Sequence, residues 1–144
     1  QRGYCTGLSL GGFGCWTLAS AAPYCFAAIA PICAGFVQKD SRKNIGLTEL
    51  QRLADGHLDV STVTHLPAWI FHGQKDKIVL PRLSEKIYKA LKETHHHTDK
   101  TLRLTLFNKG HSCWRETFAM PELKHWFLSF RSPKRVKKDI KTKK

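Results

Sequence analysis

The chain has 144 residues, 42% of them hydrophobic, which suits one modest globular domain with a buried core and leaves little room for two. Its 24 Lys and Arg against 11 Asp and Glu give a formal charge of +13, and the stretch 131–144, "RSPKRVKKDIKTKK", supplies eight of those bases against one acid. No apolar run approaches the roughly 20 residues that a helical membrane span requires.

Taken in chain order, "GYCTGL" at 3–8 is short and β-leaning and runs into glycines, which predicts a buried strand ending in a sharp turn. "GGFGCWTLASAA" at 11–22 mixes small residues with Phe13, Trp16 and Leu18, a spacing that suits a helix packed closely on a sheet and stopped by Pro23. "FAAIAPICAGF" at 26–36 reads as a second buried strand and its exit loop. Strand, helix and strand in this order make a right-handed βαβ crossover.

Residues 37–66 are polar and read as an excursion with one short helix in "LTELQRLADG", either a cap-like insertion or a surface loop. "PAWIFHG" at 67–73 is the next strand, followed by the loop "QKDKIV". From about Pro81 to Thr94, Leu83, Ile87, Tyr88 and Leu91 share one face of a helix. "TLRLTLF" at 101–107 alternates with period two, as a half-buried strand near a sheet edge does. "NKGHSCW" is then a loop, and "PELKHWFLSF" from Pro121 a closing helix. The expected fold class is α/β, with the candidate chemistry after the carboxyl ends of strands.

Gly7, Ser9 and Gly11 in "TGLSLGGFG" fit a G-x-S-x-G turn between strand and helix. Such a turn is tight enough to need glycines beside a strained serine, and it presents the hydroxyl at a helix N-terminus, where the Leu10 amide would help hold an oxyanion. On its own Ser9 reads equally as a turn hydroxyl. A serine nucleophile needs a base, and the base needs an orienting carboxylate, in the chain order Ser, acid, His. Asp76 follows the strand "AWIF" and His111 follows "LRLTLF". Asp76 alone would pass for a turn residue and His111 for a loop histidine; the three together, in order and context, make coincidence a poorer explanation.

His72 is expected to support the Asp76 loop through a hydrogen bond, His95–His97 to form an exposed polar loop, and His125 and Trp126 to serve packing or surface. Neither a cofactor nor a metal is called for. The five cysteines, Cys5, Cys15, Cys25, Cys33 and Cys113, show no C-x-x-C or zinc-ligand spacing, and four sit in apolar surroundings. They read as reduced thiols, hence a cytoplasmic location. The basic tail, 132–144, reads as solvated and disordered, with nucleic acid or an anionic membrane as the alternative partner.

"TGLSLGGFGCWTLASAAPYCFAAIAPICAG", "LPAWIFHGQKDKIV" and "KGHSCWRETFAMPELKHWFLSFR" resemble the nucleophile region, acid loop and histidine loop of α/β-hydrolase esterases, the group of phospholipase/carboxylesterases, dienelactone hydrolases and poly(3-hydroxybutyrate) depolymerase-like proteins. The resemblance covers roughly 3–36 and 66–131. It implies that Ser9 is nucleophile, Asp76 acid and His111 base, acting through an acyl-enzyme on a small ester or thioester, with Leu10 as one oxyanion amide. Two other readings stand beside it, a prolyl-oligopeptidase-type peptidase and a non-catalytic interaction module using the basic tail. The family places further strands and an oxyanion loop before the nucleophile strand, whereas eight residues precede Ser9, the first is Gln1 and the only methionine is Met120. The chain is therefore expected to be the carboxyl-terminal half of such a domain, 1–131, and inactive by itself.

Overall fold

The computed structural model describes residues 2–37 and 46–132; positions 38–45 of the polar excursion and 133–144 of the basic tail lie outside the described residues. Four strands, β1 (Tyr4–Leu8), β2 (Ala28–Ile32), β3 (Ala68–Gly73) and β4 (Leu102–Phe107), form one sheet in the order β1-β2-β3-β4. Every pairing is parallel: Leu8 lies opposite Ile32, Ile32 opposite Phe71 and Gly73 opposite Phe107. The carboxyl ends of all four strands thus lie along one rim of the sheet.

The alternation of side chains sorts the core into two layers. On one face Ile29, Ala68, Ile70 and Leu102 pack against Cys15, Trp16 and Ala19 of α1 (Leu10–Ala21) and against Ile87 and Leu91 of α3 (Arg82–Glu93). On the other, Ala28, Ala30, Ile32, Trp69 and Phe71 meet Leu123 and Trp126 of α5 (Pro121–Leu128). β2 and β3 are buried at every position, which explains their unbroken apolar runs. β4 is half-buried beyond Leu102, as its period-two pattern predicts for an edge. β1 is the other edge, and an apolar hollow of about 270 Å³ lined by Tyr4, Phe118, Met120, Leu123 and Phe127 opens near it.

α2 (Leu47–Asp55) is the short helix expected within the polar excursion. It buries Leu50 and Ala54 in a third cluster with Phe13, Val79 and Leu83, and Arg82 and Asp55 pair at its exit. A 3-10 turn at Ser61–Val63 completes the excursion. One helix was not anticipated: α4 (Trp114–Ala119) begins inside the segment read as the "NKGHSCW" loop. Its six residues make fewer than two turns, too few for a helical repeat to register in the sequence.

Candidate active site

β1 ends in a tight turn that delivers Ser9 to the start of α1. Ser9 has φ 57° and ψ −119°, a conformation L residues rarely adopt, and its N–H donates to Ile32 O at 2.9 Å while its carbonyl accepts from Phe13 N. The steric need for glycine falls on both sides of the serine, though not at the second position of the pattern. A Cβ on Gly7 would fall on the backbone of Gly11, and one on Gly12 would meet Ala34 Cβ at 2.6 Å and Ile32 O at 2.8 Å. A Cβ on Gly11 would point into open space. The close helix-to-sheet approach therefore rests on Gly7 and Gly12. Leu10 occupies the first helical position, where backbone amides lack intrahelical acceptors and face outward from the helix end.

Asp76 and His111 meet at the rim beyond β3 and β4. His111 Nδ1 and Asp76 Oδ2 are 2.7 Å apart, and Asp76 Oδ1 accepts from the N–H groups of Ile78 at 2.8 Å and Val79 at 3.0 Å. Asp76 is only 3% exposed. Burial pushes its carboxyl pKa up, but the His111 hydrogen bond and the two backbone donors outweigh it and hold the group below the usual carboxylate range. The two loops are locked together by their backbones, since Lys75 N donates to Lys109 O at 2.9 Å and a Cβ on Gly73 would fall on Gly110 O. With Nδ1 on the carboxylate, His111 presents Nε2 as its free face. Among the described residues no hydrogen bond joins Ser9 Oγ to His111.

Two further side chains brace this pair. His72, fully buried on β3, has Nε2 2.9 Å from Val79 O and 3.2 Å from Asp76 Oδ2, and Nδ1 2.6 Å from Ser84 Oγ. Val79 O can only accept, so Nε2 carries a proton, while the one Ser84 hydroxyl proton lies between His72 Nδ1 and the Ala34 carbonyl, 3.1 Å from Ser84 Oγ. Burial lowers the His72 pKa despite the nearby carboxylate, which keeps the ring neutral. His72 thus supports the acid loop, as expected. Gln51 of α2 grips the same loop from the other side, its Nε2 donating to Ile78 O at 2.6 Å and its Oε1 accepting from Leu80 N at 3.0 Å. The sequence carried no signal for that second brace, because a glutamine on an exposed helix face looks like any other.

Cys33, Asp76 and His111 offer ligand atoms within 4.8 Å of one another, with the carboxylate and imidazole hydrogen-bonded to each other. His95 and His96 are exposed as expected, while both ring nitrogens of His97 are buried without a partner. Trp126 packs, donating from Nε1 to Lys100 O at 2.8 Å, and His125 is exposed. No helix among the described residues is long and apolar enough to cross a membrane.

Neither the protein-family models nor the curated proteins gave a match to this chain. Solved structures do. A thermostable esterase aligns over 88% of the chain with a TM-score of 0.66 and 29% identity. Acyl-protein thioesterase 2 of Zea mays aligns over 86% with a TM-score of 0.55 and 15% identity, and the S-formylglutathione hydrolase of Staphylococcus aureus over 87% with a TM-score of 0.56 and 16% identity. The chain spans 30%, 54% and 50% of those three proteins, respectively. The parallel sheet with its flanking helices is what all three share with it, and with the esterase the likeness reaches the sequence; the chain has the α/β-hydrolase fold seen in these esterases and thioesterases.

Proposed function

We propose that the chain carries the catalytic residues of a serine hydrolase that cleaves carboxylic esters or thioesters through an acyl-enzyme. The observation that carries this reading is the division of the Asp76 carboxylate: one oxygen is held by two backbone N–H groups and the other by His111 Nδ1. A carboxylate so placed fixes the tautomer of the histidine and leaves Nε2 to accept a proton. Ser9, strained at the head of α1, is the nucleophile that would supply it.

Ser9 Oγ adds to the acyl carbon as His111 Nε2 takes its proton, and the Leu10 N–H stabilises the oxyanion. Collapse expels the alkoxide or thiolate, protonated by His111, and leaves the acyl group on Ser9. Water then attacks the acyl-serine with His111 again as base, releasing the acid and restoring the hydroxyl. Asp76 stays ionised throughout and balances the imidazolium.

The resemblance to esterases puts the second oxyanion donor on a loop before the nucleophile strand. One missing donor lowers turnover by about a hundredfold or more, so the 144-residue chain by itself is expected to hydrolyse p-nitrophenyl acetate poorly. The test uses a longer protein containing this segment, treated with a fluorophosphonate probe. Labelling on Ser9 that disappears in Ser9→Ala supports the reading; a protein that takes no label, or one whose label survives Ser9→Ala, overturns it.

A further inference from the structure

We propose that Cys33 and Cys113 are a reversible redox pair, and that closing them into a disulfide draws His111 away from Asp76 and turns the site off. The inference rests on the reading of Asp76 and His111 as acid and base.

The two sulfurs are 3.2 Å apart, although 80 positions separate the residues in the chain. Both side chains are fully buried, and neither has a role in the acyl-transfer steps above. Cys33 is held firmly: it directly follows β2, has φ 51°, and its N–H donates to Phe71 O at 2.9 Å. Cys113 sits on the histidine loop, two residues past His111, with its N–H on His111 O at 3.2 Å. A disulfide bond is about 2.05 Å long, so closure shortens the gap by about 1 Å. With Cys33 fixed to the sheet, that movement falls on Cys113 and hence on His111. A displacement of about 1 Å at a catalytic base lowers turnover by about a hundredfold.

The pair is also primed chemically. The hydrogen bond between the thiols pushes the Cys33 pKa up, helped by burial, and pulls that of Cys113 down against burial and the Glu116 and Asp76 carboxylates. Cys113 is therefore the more acidic of the two, the one that meets the oxidant first, and Cys33 the resolving thiol. With a peroxide as oxidant, Cys113 sulfur takes one oxygen to become a sulfenic acid as the O–O bond breaks and water leaves. Cys33 sulfur then attacks the sulfenic sulfur, expelling a second water and leaving the disulfide. Two thiols lose two electrons in all, the peroxide gains them, and a dithiol reverses the change.

The experiment oxidises the longer protein with hydrogen peroxide, alkylates the remaining thiols and maps the peptides by mass. A Cys33–Cys113 linked peptide is expected, together with at least a tenfold slower fluorophosphonate labelling of Ser9 that dithiothreitol restores. Cys33→Ser and Cys113→Ser, each checked for folding by circular dichroism, should lose the reversible inhibition, whereas Cys15→Ser, which removes a second thiol contact with Cys5 away from the acid-base pair, should keep it. A readout independent of reactivity is the nuclear magnetic resonance of the His111 ring, whose signals should shift on oxidation. Absence of the linked peptide overturns the proposal, as does a linked peptide with unchanged labelling and unchanged ring signals. If Ser9 takes no label even when reduced, the hydrolase reading fails, while the linked peptide and ring signals still decide the redox pair.

Discussion

The N–H of Ser9 donates to Ile32 O at 2.9 Å, so the residue at the head of α1 is fastened to the neighbouring strand as well as to its own. That bond holds Ser9 at φ 57°, a conformation whose strain is on the order of 1–3 kcal/mol for a residue with a Cβ. Glycine escapes most of that strain and alanine does not. Ser9→Gly should therefore be more stable to urea than Ser9→Ala by about 1 kcal/mol, even after glycine's greater unfolded-state entropy is counted. Equal midpoints for the two variants would show that the turn is relaxed.

Gly11 and Gly12 are adjacent but differ in what surrounds them. An added methyl at Gly12 would press on Ala34 Cβ and Ile32 O, whereas at Gly11 it would meet nothing within 4 Å. Gly12→Ala should be destabilising by about 1–3 kcal/mol, with α1 pushed off the sheet and Ser9 with it. Gly11→Ala should be neutral or stabilising by up to about 1 kcal/mol, since alanine favours a helix. Chemical denaturation of the two variants checks the ranking, and a reversed order would contradict the packing described.

The placement of Ser9, Asp76 and His111 along one rim was legible in the sequence because each lies within four residues of the end of a strand, and a parallel sheet brings such positions to one side. The strands themselves showed in unbroken or alternating apolar runs. Gly12, Gln51 and the Cys33–Cys113 contact were not legible. Each depends on which elements touch across the fold: α1 on the exit of β2, α2 on the acid loop, β2 on the histidine loop. Local spacing carries no information about such contacts. The G-x-S-x-G pattern directed attention to Gly11, while the steric constraint after the serine falls one residue later.

The buried His72 gives the fold a pH dependence whose sign follows from its lowered pKa. In the unfolded chain the imidazole binds a proton below about pH 6.5, whereas in the folded protein it resists until a lower pH. The stability is thus fully present above pH 6.5 and is lost as pH falls below it, by at most about 1.4 kcal/mol per pH unit for one proton. Asp76, also lowered, adds a second loss only below about pH 4. Urea midpoints from pH 7.5 to 5 should fall in the native chain and fall less steeply in His72→Gln. Parallel slopes would assign the dependence to other groups.

Asp76→Asn tests the acid through its hydrogen bonds. The site of Oδ1 is lined by the Ile78 and Val79 N–H groups, so the amide oxygen must turn there, which directs the NH2 toward His111 Nδ1 and His72 Nε2. His111 Nδ1 must then accept, the ring proton moves to Nε2, and the imidazole can no longer take a proton from Ser9. In a longer, active protein, turnover of an ester should drop by about 10³–10⁴-fold, because the wrong tautomer removes the base while leaving substrate contacts in place. KM should change little, and fluorophosphonate labelling should slow in parallel with kcat. Turnover within tenfold of the native protein would mean that His111 does not depend on Asp76 for its proton, and a different acid would have to be sought along the same rim.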